Sequence, residues 1–356
     1  MAGAAASFTS LLLISSLLLA YSHVSALGVE YSSLPLVKGL SWKYYDSSCP
    51  KLESIIRKHL KKVFKENIGL AAALLRIQFH DCFVQGCDAS LLLHGSTSGP
   101  TEQDAPPNLT LRPEGFEVIN DLHQLVHDNC GSVVSCADIT AIAARDSVFL
   151  SGGPDYNLPL GRRDGLTFAT RDVTLANLPA PSSNTSVLLD SLATKNLDAT
   201  DLVALSGGHT IGLGHCAAFI ERLYPTQDPT LEKTYAKDLK QVCPTQDSND
   251  TTVLDIRSPN KFDNKYYVDL VNRQGLFTSD QDMYTDSRTK DIVTSFAVDE
   301  DLFFEQFAKS IIKMGQLSVL TGNKGEIRAN CSVRNSDNIK LASMVDDDDQ
   351  ESASEL

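Results

Sequence analysis

The sequence predicts a mainly α-helical protein. Apolar residues recur three and four apart along most of the chain, the spacing of one helix face. The alternation that marks a half-buried strand is scarce. Gly- and Pro-rich stretches, such as 96–108 and Gly152-Gly153-Pro154, punctuate the periodic segments. A length of 356 residues with 42% hydrophobic content allows two ordinary domains, or one large helical unit in two halves.

The elements follow in order. Residues 7–20 form an apolar run too short to span a bilayer comfortably. Val24-Ser25-Ala26 supplies small residues for cleavage, so 1–26 reads as a signal peptide cut after Ala26, although no basic residues precede the run. No later run is long enough for a membrane span. Residues 27–40 are a short extension with little pattern. Cys49-Pro50 opens the first helix, proline being tolerated in a first turn. Its buried stripe is Leu52, Ile55, Ile56, Leu60, Val63 and Phe64.

A second helix carries Leu70, Ala73, Leu74 and Ile77 on one face. At about 3.6 residues per turn, Arg76, Phe79 and His80 fall together beside that face. The helix then enters a tight bend pinned by Cys82 and Cys87. Phe116, Ile119, Leu122, Leu125 and Val126 mark a third helix. Residues 133–150 form a fourth, alanine-rich and so able to pack closely. Residues 159–181 read as loop and turn around Arg162-Arg163-Asp164. Short helices over 187–193 and 201–205 follow, the latter ending at Gly207-Gly208. Further helices are expected over 219–224, 230–239, 266–273, 292–297 and 302–314. There is no internal repeat. After Asn335 the chain turns polar and contains Asp346-Asp347-Asp348-Asp349, a like-charge block of the disordered kind.

Charge and cysteines narrow the function classes. A net charge of -14 and a pI near 5.0 argue against nucleic acid, whose binding rests on Lys/Arg contacts to phosphate. The eight cysteines are Cys49, Cys82, Cys87, Cys130, Cys136, Cys216, Cys243 and Cys331. An even count behind a secretion signal reads as disulfides, with about a hundred pairings open. Free thiols in a cytosolic enzyme are the alternative. No Cys-x-x-Cys zinc pattern is present.

One stretch concentrates chemistry. Arg76 is a fixed cation, Phe79 an aromatic wall and His80 a titratable base. Just beyond them Asp81, Asp88 and Ser90 place hard oxygens around the pinned bend, as a calcium-like cation requires. His209 follows two glycines, which allow close approach of a flat group. His123 and His127 sit four apart but lack a third ligand, so an exposed helix face is expected.

With the motif Arg76-Ile77-Gln78-Phe79-His80-Asp81-Cys82-Phe83-Val84-Gln85-Gly86-Cys87-Asp88-Ala89-Ser90 and the motif Ser206-Gly207-Gly208-His209-Thr210-Ile211-Gly212, the chain resembles the class III plant secretory haem peroxidases, the horseradish peroxidase family. The likeness runs from about Ser41 to Asn335, and the finer pattern looks close to the peroxidase 12 subgroup. It implies a plant haem-peroxidase fold over 41–335, two helical halves enclosing the haem, with 336–356 left as an acidic tail. It implies the pairs Cys49–Cys130, Cys82–Cys87, Cys136–Cys331 and Cys216–Cys243, and a bridge between Arg162 and Asp138 where residue types alone would equally allow surface charges.

The resemblance also assigns roles. His209 would be the axial ligand of one haem b, with Asp280 accepting its other imidazole proton. Opposite it, His80 would be the proton acceptor, Arg76 the stabiliser of developing charge, and Phe79 the cover over the porphyrin. Asn108, with Glu102 behind it, would orient His80. Two calcium ions are implied. One is held by Asp81, Asp88 and Ser90 with the carbonyls of Val84 and Gly86. The other is held by Thr210, Asp255, Ser258 and Asp263 with the carbonyl of Lys261. Pro179 would receive hydrogen bonds from aromatic donors. At the rim, Ala218 and Ser182 replace aromatics of horseradish peroxidase, and Leu254 stands where an aromatic often packs near the proximal imidazole.

The activity so implied is reduction of hydrogen peroxide to water with one-electron oxidation of phenolic donors, such as lignin precursors. A monomer secreted to the apoplast or cell wall is expected, with vacuolar delivery through the tail as the alternative, and neither nucleic acid nor membrane as partner. A non-catalytic wall-binding protein on the same scaffold would predict loss of Arg76, His80 or His209, and all three are present. A Ser-His-Asp hydrolase would need a Gly-x-Ser-x-Gly elbow, and none appears. Asn108-Leu109-Thr110 also reads as a glycosylation sequon; Asn184 and Asn249 are better acceptors, and Asn330 adjoins a paired cysteine.

Overall fold

Six of the twelve α-helices in the described residues of the computed structural model start on a capping side chain, and the longer ones form where apolar spacing places a buried stripe. The structure describes residues 34–95 and 101–337. The expected signal peptide, half of the extension (27–33), 96–100 and the acidic tail beyond 337 lie outside the described residues. The described residues from Pro35 to Asp337 cluster into one unit.

Helix α1 (Leu52–Glu66) buries Leu52, Ile56, Leu60 and Phe64, one residue per turn. Helix α2 (Gly69–Val84) is buried almost all round. Between Leu70 and Val84 only Ala72, Arg76 and Phe79 keep partial exposure, four and three residues apart. That spacing is a single open stripe on an otherwise enclosed helix. Helix α3 (Pro113–Cys130) starts with proline in its first turn and stops at Gly131, φ +75°. Helix α4 (Cys136–Leu150) is capped by Ser135, whose hydroxyl accepts from the Asp138 N–H, and is buried from Cys136 to Val148. Its alanines let α2 lie close against it, the most extensive helix pairing among the described residues.

Next come α5 (Arg171–Asn177), α6 (Thr185–Ala193) and α7 (Ala199–Ser206), capped by Thr170, Asn184 and Asp198. Then follow α8 (Lys233–Val242), α9 (Lys265–Val271), α10 (Thr278–Thr285), α11 (Lys290–Val298) and α12 (Glu300–Met314). Two short strands, β1 (Leu213–His215) and β2 (Thr251–Val253), pair antiparallel with Leu213 opposite Val253.

Several expectations need correction. Residues 171–177 are helical rather than loop, because the Thr170 side chain caps a segment too short to show a periodic stripe. Residues 219–224 do not form a helix. Tight 3₁₀ turns at Cys216–Ala218 and Ile220–Arg222 take their place, and the Cys216 N–H donates to the Asp250 carbonyl. Helix α8 begins at Lys233 because the Glu232 carboxylate caps Thr234 and Tyr235. Helix α10 is not among the expected elements. His123 is buried rather than exposed, its Nε2 against the Arg328 carbonyl at 3.1 Å, while His127 faces outward.

The four disulfides pair as the resemblance implied. Arg162 and Asp138 are no surface charges. They meet at 2.8 Å with both side chains fully buried. Arg162 also donates to the carbonyls of Pro159 and Gly315, so it ties α4 to the end of α12. Such a pair survives burial because its hydrogen bonds are satisfied on several sides.

Candidate active site

His80 lies on the last turns of α2, with the chain at 102–110 beside it. Its Nδ1 is 2.6 Å from Asn108 Oδ1. The Asn108 amide donates to the Glu102 carbonyl at 2.7 Å, so Oδ1 must accept and Nδ1 must carry the proton. Arg76 Nε donates to His80 Nε2 at 3.1 Å, which fits the same neutral tautomer. The histidine therefore presents a basic lone pair on Nε2. Burial pushes its pKa down to about 3, the Arg76 charge adds to this, and the Asn108 hydrogen bond opposes it.

The guanidinium of Arg76 is held by the Thr110 and Pro107 carbonyls and the Thr110 hydroxyl at 2.9–3.0 Å. Burial lowers its pKa to about 10, so it stays charged at neutral pH. Phe79 packs edge-on against His80 and Phe83. Thr110 is a site residue that the motifs do not announce. Its only sequence signal is the sequon, whose asparagine is 3% exposed and whose threonine hydroxyl is taken up by Arg76.

Glu102 supports Asn108 through its main chain, not its carboxylate. The carboxylate accepts from the Ala169 N–H at 3.1 Å. Burial raises its pKa to about 7, with the Asp88 charge acting in the same direction.

His209 sits just beyond α7 on a 3₁₀ turn, Gly207–Thr210. Gly207 is required there, since a Cβ would lie 2.3 Å from the Tyr267 hydroxyl and 2.5 Å from the Phe303 ring. The turn runs close to α2: a Cβ on Gly208 would lie 3.5 Å from Leu75, and one on Gly212 3.1 Å from Ala72. His209 Nδ1 meets Asp280 Oδ1 at 2.8 Å. Its Nε2 has no hydrogen-bond partner among the described residues, and the side chain keeps 39% of its exposure. Asp280, at the start of α10, is 2% exposed. Burial would raise its pKa, but the facing His209, the Phe277 N–H and the Tyr266 hydroxyl hold it below the usual carboxylate value. An imidazole locked through Nδ1, with a free Nε2, suits an axial haem ligand. The uncovered α2 stripe supplies a wall for a flat group.

Two oxygen clusters adjoin these histidines. In the first, Asp81 accepts from the Ala89 and Leu91 N–H groups, Asp88 accepts from the Ser90 N–H, and Gly86 turns the chain at φ +123°. Val84 ends α2 at its edge. Burial, and then the Asp88 charge, push Asp81 well above its ordinary value. Ser90 Oγ lies beside carboxylates yet makes no hydrogen bond of good geometry. Buried anions plus an unspent hydroxyl fit a hard cation. In the second, Thr210 Oγ1 meets Asp255 at 3.0 Å and the Lys261 carbonyl at 3.4 Å, and Ser258 Oγ meets Asp263 at 2.9 Å and Asp255 at 3.4 Å. All five expected groups thus converge. Pro179 follows α5, half-buried, and enters no hydrogen bond among the described residues.

Comparison with known proteins agrees with this geometry. The family model described as Peroxidase matches residues 56–299. The chain is 65% identical over 301 residues to Peroxidase 12 of Arabidopsis thaliana, covering 85% of this chain and 84% of that protein. It is 59% identical over 302 residues to cationic peroxidase SPC4 of Sorghum bicolor, covering 85% and 83%. Peroxidase 14 of Arabidopsis thaliana is 44% identical over 295 residues, covering 81% and 87%. With likeness over most of its length and two histidines set in complementary surroundings, the chain belongs to the peroxidase family, as a class III plant peroxidase close to the peroxidase 12 subgroup.

Proposed function

We propose that this peroxidase reduces hydrogen peroxide to water with His80 and Arg76 on one side of a haem b and His209 on the other, taking electrons singly from phenolic donors such as lignin precursors. The observation that carries the residue roles is the neutral His80 with a basic Nε2 beside a fixed guanidinium. Bound haem supplies the electron chemistry. His80 Nε2 would take the proton from one peroxide oxygen and return it to the other, which leaves as water as the O–O bond breaks with two electrons that bound haem would supply. Arg76, held by Thr110 and Pro107, offers N–H groups to the charge developing on that oxygen. Asn108 keeps the imidazole in the right tautomer. His209 would hold the iron through Nε2 while Asp280 accepts a hydrogen bond from its Nδ1–H. Phe79 would restrict access above the porphyrin. Pro179 would accept the donor hydroxyl through its carbonyl.

The two oxygen clusters would hold one calcium ion each. Residues 41–335 would form the catalytic unit. A leader cut after Ala26 and an acidic tail from 336 would direct secretion, or vacuolar delivery if the tail is read as an address. Among the described residues no helix is long and apolar enough to cross a membrane. The protein would act as a monomer.

The test is the purified, haem-loaded protein with guaiacol and peroxide. A Soret band that peroxide shifts, and guaiacol turnover lost in His80→Leu, are expected. Full turnover in His80→Leu would overturn the role of His80 as the base.

A further inference from the structure

Asp280 does not serve His209 alone. Its Oδ1 accepts two hydrogen bonds of equal length, 2.8 Å from His209 Nδ1 and 2.8 Å from the Tyr266 hydroxyl. Its Oδ2 accepts from the Phe277 N–H at 2.9 Å. Tyr266 is 1% exposed. Its ring stands edge-on to His209, centroids 6.0 Å apart, and edge-on to Tyr267 at 5.0 Å. The phenol is thus fixed, and Asp280 is its only hydrogen-bond acceptor among the described residues.

A carboxylate oxygen that accepts a second donor gives less of its charge to the first. Hydrogen bonds to an anion are the strong ones, so the competition is large. The negative charge reaching His209 through Nδ1 in turn sets how electron-rich its Nε2 is. The backbone donor on Oδ2 cannot be tuned by sequence, whereas the phenol on Oδ1 can.

We infer that Tyr266 is a positioning residue that limits the charge Asp280 lends to His209, and so holds the iron reduction potential above the value the His209–Asp280 pair alone would set. This rests on His209 being the axial ligand. Tyr266→Phe keeps the ring and removes one O–H. His209 is then the sole donor on Oδ1, its Nδ1 bond tightens, and its imidazolate character grows.

The experiment uses haem-loaded wild type, Tyr266→Phe, Asp280→Asn and the double variant. The ferric/ferrous midpoint potential and the iron–histidine stretching band of the ferrous form are read. Tyr266→Phe should lower the potential and raise the stretching frequency. Asp280→Asn should move both the opposite way, and Tyr266→Phe should add little in that background. An unchanged potential and band in Tyr266→Phe, with Asp280→Asn shifting both, overturns the inference. A stretching band insensitive to Asp280→Asn overturns the axial assignment beneath it. Wild-type NMR of the cyanide-bound protein gives a check without substitution. A slowly exchanging phenol proton dipolar-coupled to the His209 Nδ1 proton is expected, and free exchange with water would also overturn the inference.

Discussion

His80 is one imidazole whose chemistry depends on what surrounds it. The motif makes it a candidate base, and the neighbouring arginine is a legible reason for a lowered pKa. The larger reason, burial, is not legible in α2 alone, because it comes from chain well beyond that helix. The sign of the pH effect follows directly. In the proposed role the base acts unprotonated, so the peroxide step should stay flat from neutral pH down and fall as pH drops through about 3. Stopped-flow rates of the peroxide-driven Soret change across pH would show this; a fall centred at the ordinary histidine value, about 6.5, would contradict the burial. Arg76→Leu removes the second cause, so the fall should move to higher pH, and the rate at neutral pH should drop by about 10²–10³. His80→Leu should lower the same rate by about 10²–10⁴. Thr110→Val frees one guanidinium hydrogen and should slow the step more mildly, visible as a loss in the peroxide rate with donor oxidation unchanged.

At the scale of elements, both histidines hang from helix ends, and an oxygen cluster adjoins each end. Asp81 follows His80 and Thr210 follows His209, so a cation in either cluster would brace the neighbouring imidazole. Calcium held at about a hundred times its dissociation constant adds about 2.7 kcal/mol of stability per site. Chelation should therefore lower Tm and weaken the Soret band, and unchanged thermal unfolding with and without chelator would defeat the calcium assignment. Helix α5 and helix α10 show where local pattern fails. They have seven and eight residues, and a short helix shows too few turns for an apolar stripe to stand out. Yet α10 presents Asp280 to His209, so the most consequential carboxylate sits in an element that periodicity does not reveal.

Across the whole molecule, long-range ties join what the chain separates. Cys136–Cys331 closes 195 residues, whereas Cys216–Cys243 closes 27. On the chain-entropy account the first restrains the unfolded chain by about 5 kcal/mol and the second by about 3.5 kcal/mol. Removing each pair by double Cys→Ser substitution should lower Tm more for the longer loop; the reverse order in calorimetry would show that local packing outweighs chain entropy here. Asp164 is a second tie. It accepts from the Cys136 and Ala137 N–H groups at the start of α4 and from the Arg328 N–H near the carboxyl end of the described residues. Asp164→Ala would strand three buried donors and should cost about 3 kcal/mol or more, read as a lowered midpoint in urea.

Periodicity, composition and two long motifs were sufficient for the helical class, for eight cysteines in pairs, and for His80, Arg76, His209 and the oxygens of Asp81, Asp88 and Ser90 as candidates. These are local properties, set by the residues a few positions away. The second oxygen cluster came only with the family resemblance. Folding alone decided that His123 is buried, that Thr110 anchors Arg76, and that Tyr266 shares Asp280 with His209. Each of these depends on residues from different parts of the chain. Burial and hydrogen-bond competition are sums over neighbours in space, and no window along the chain contains those neighbours.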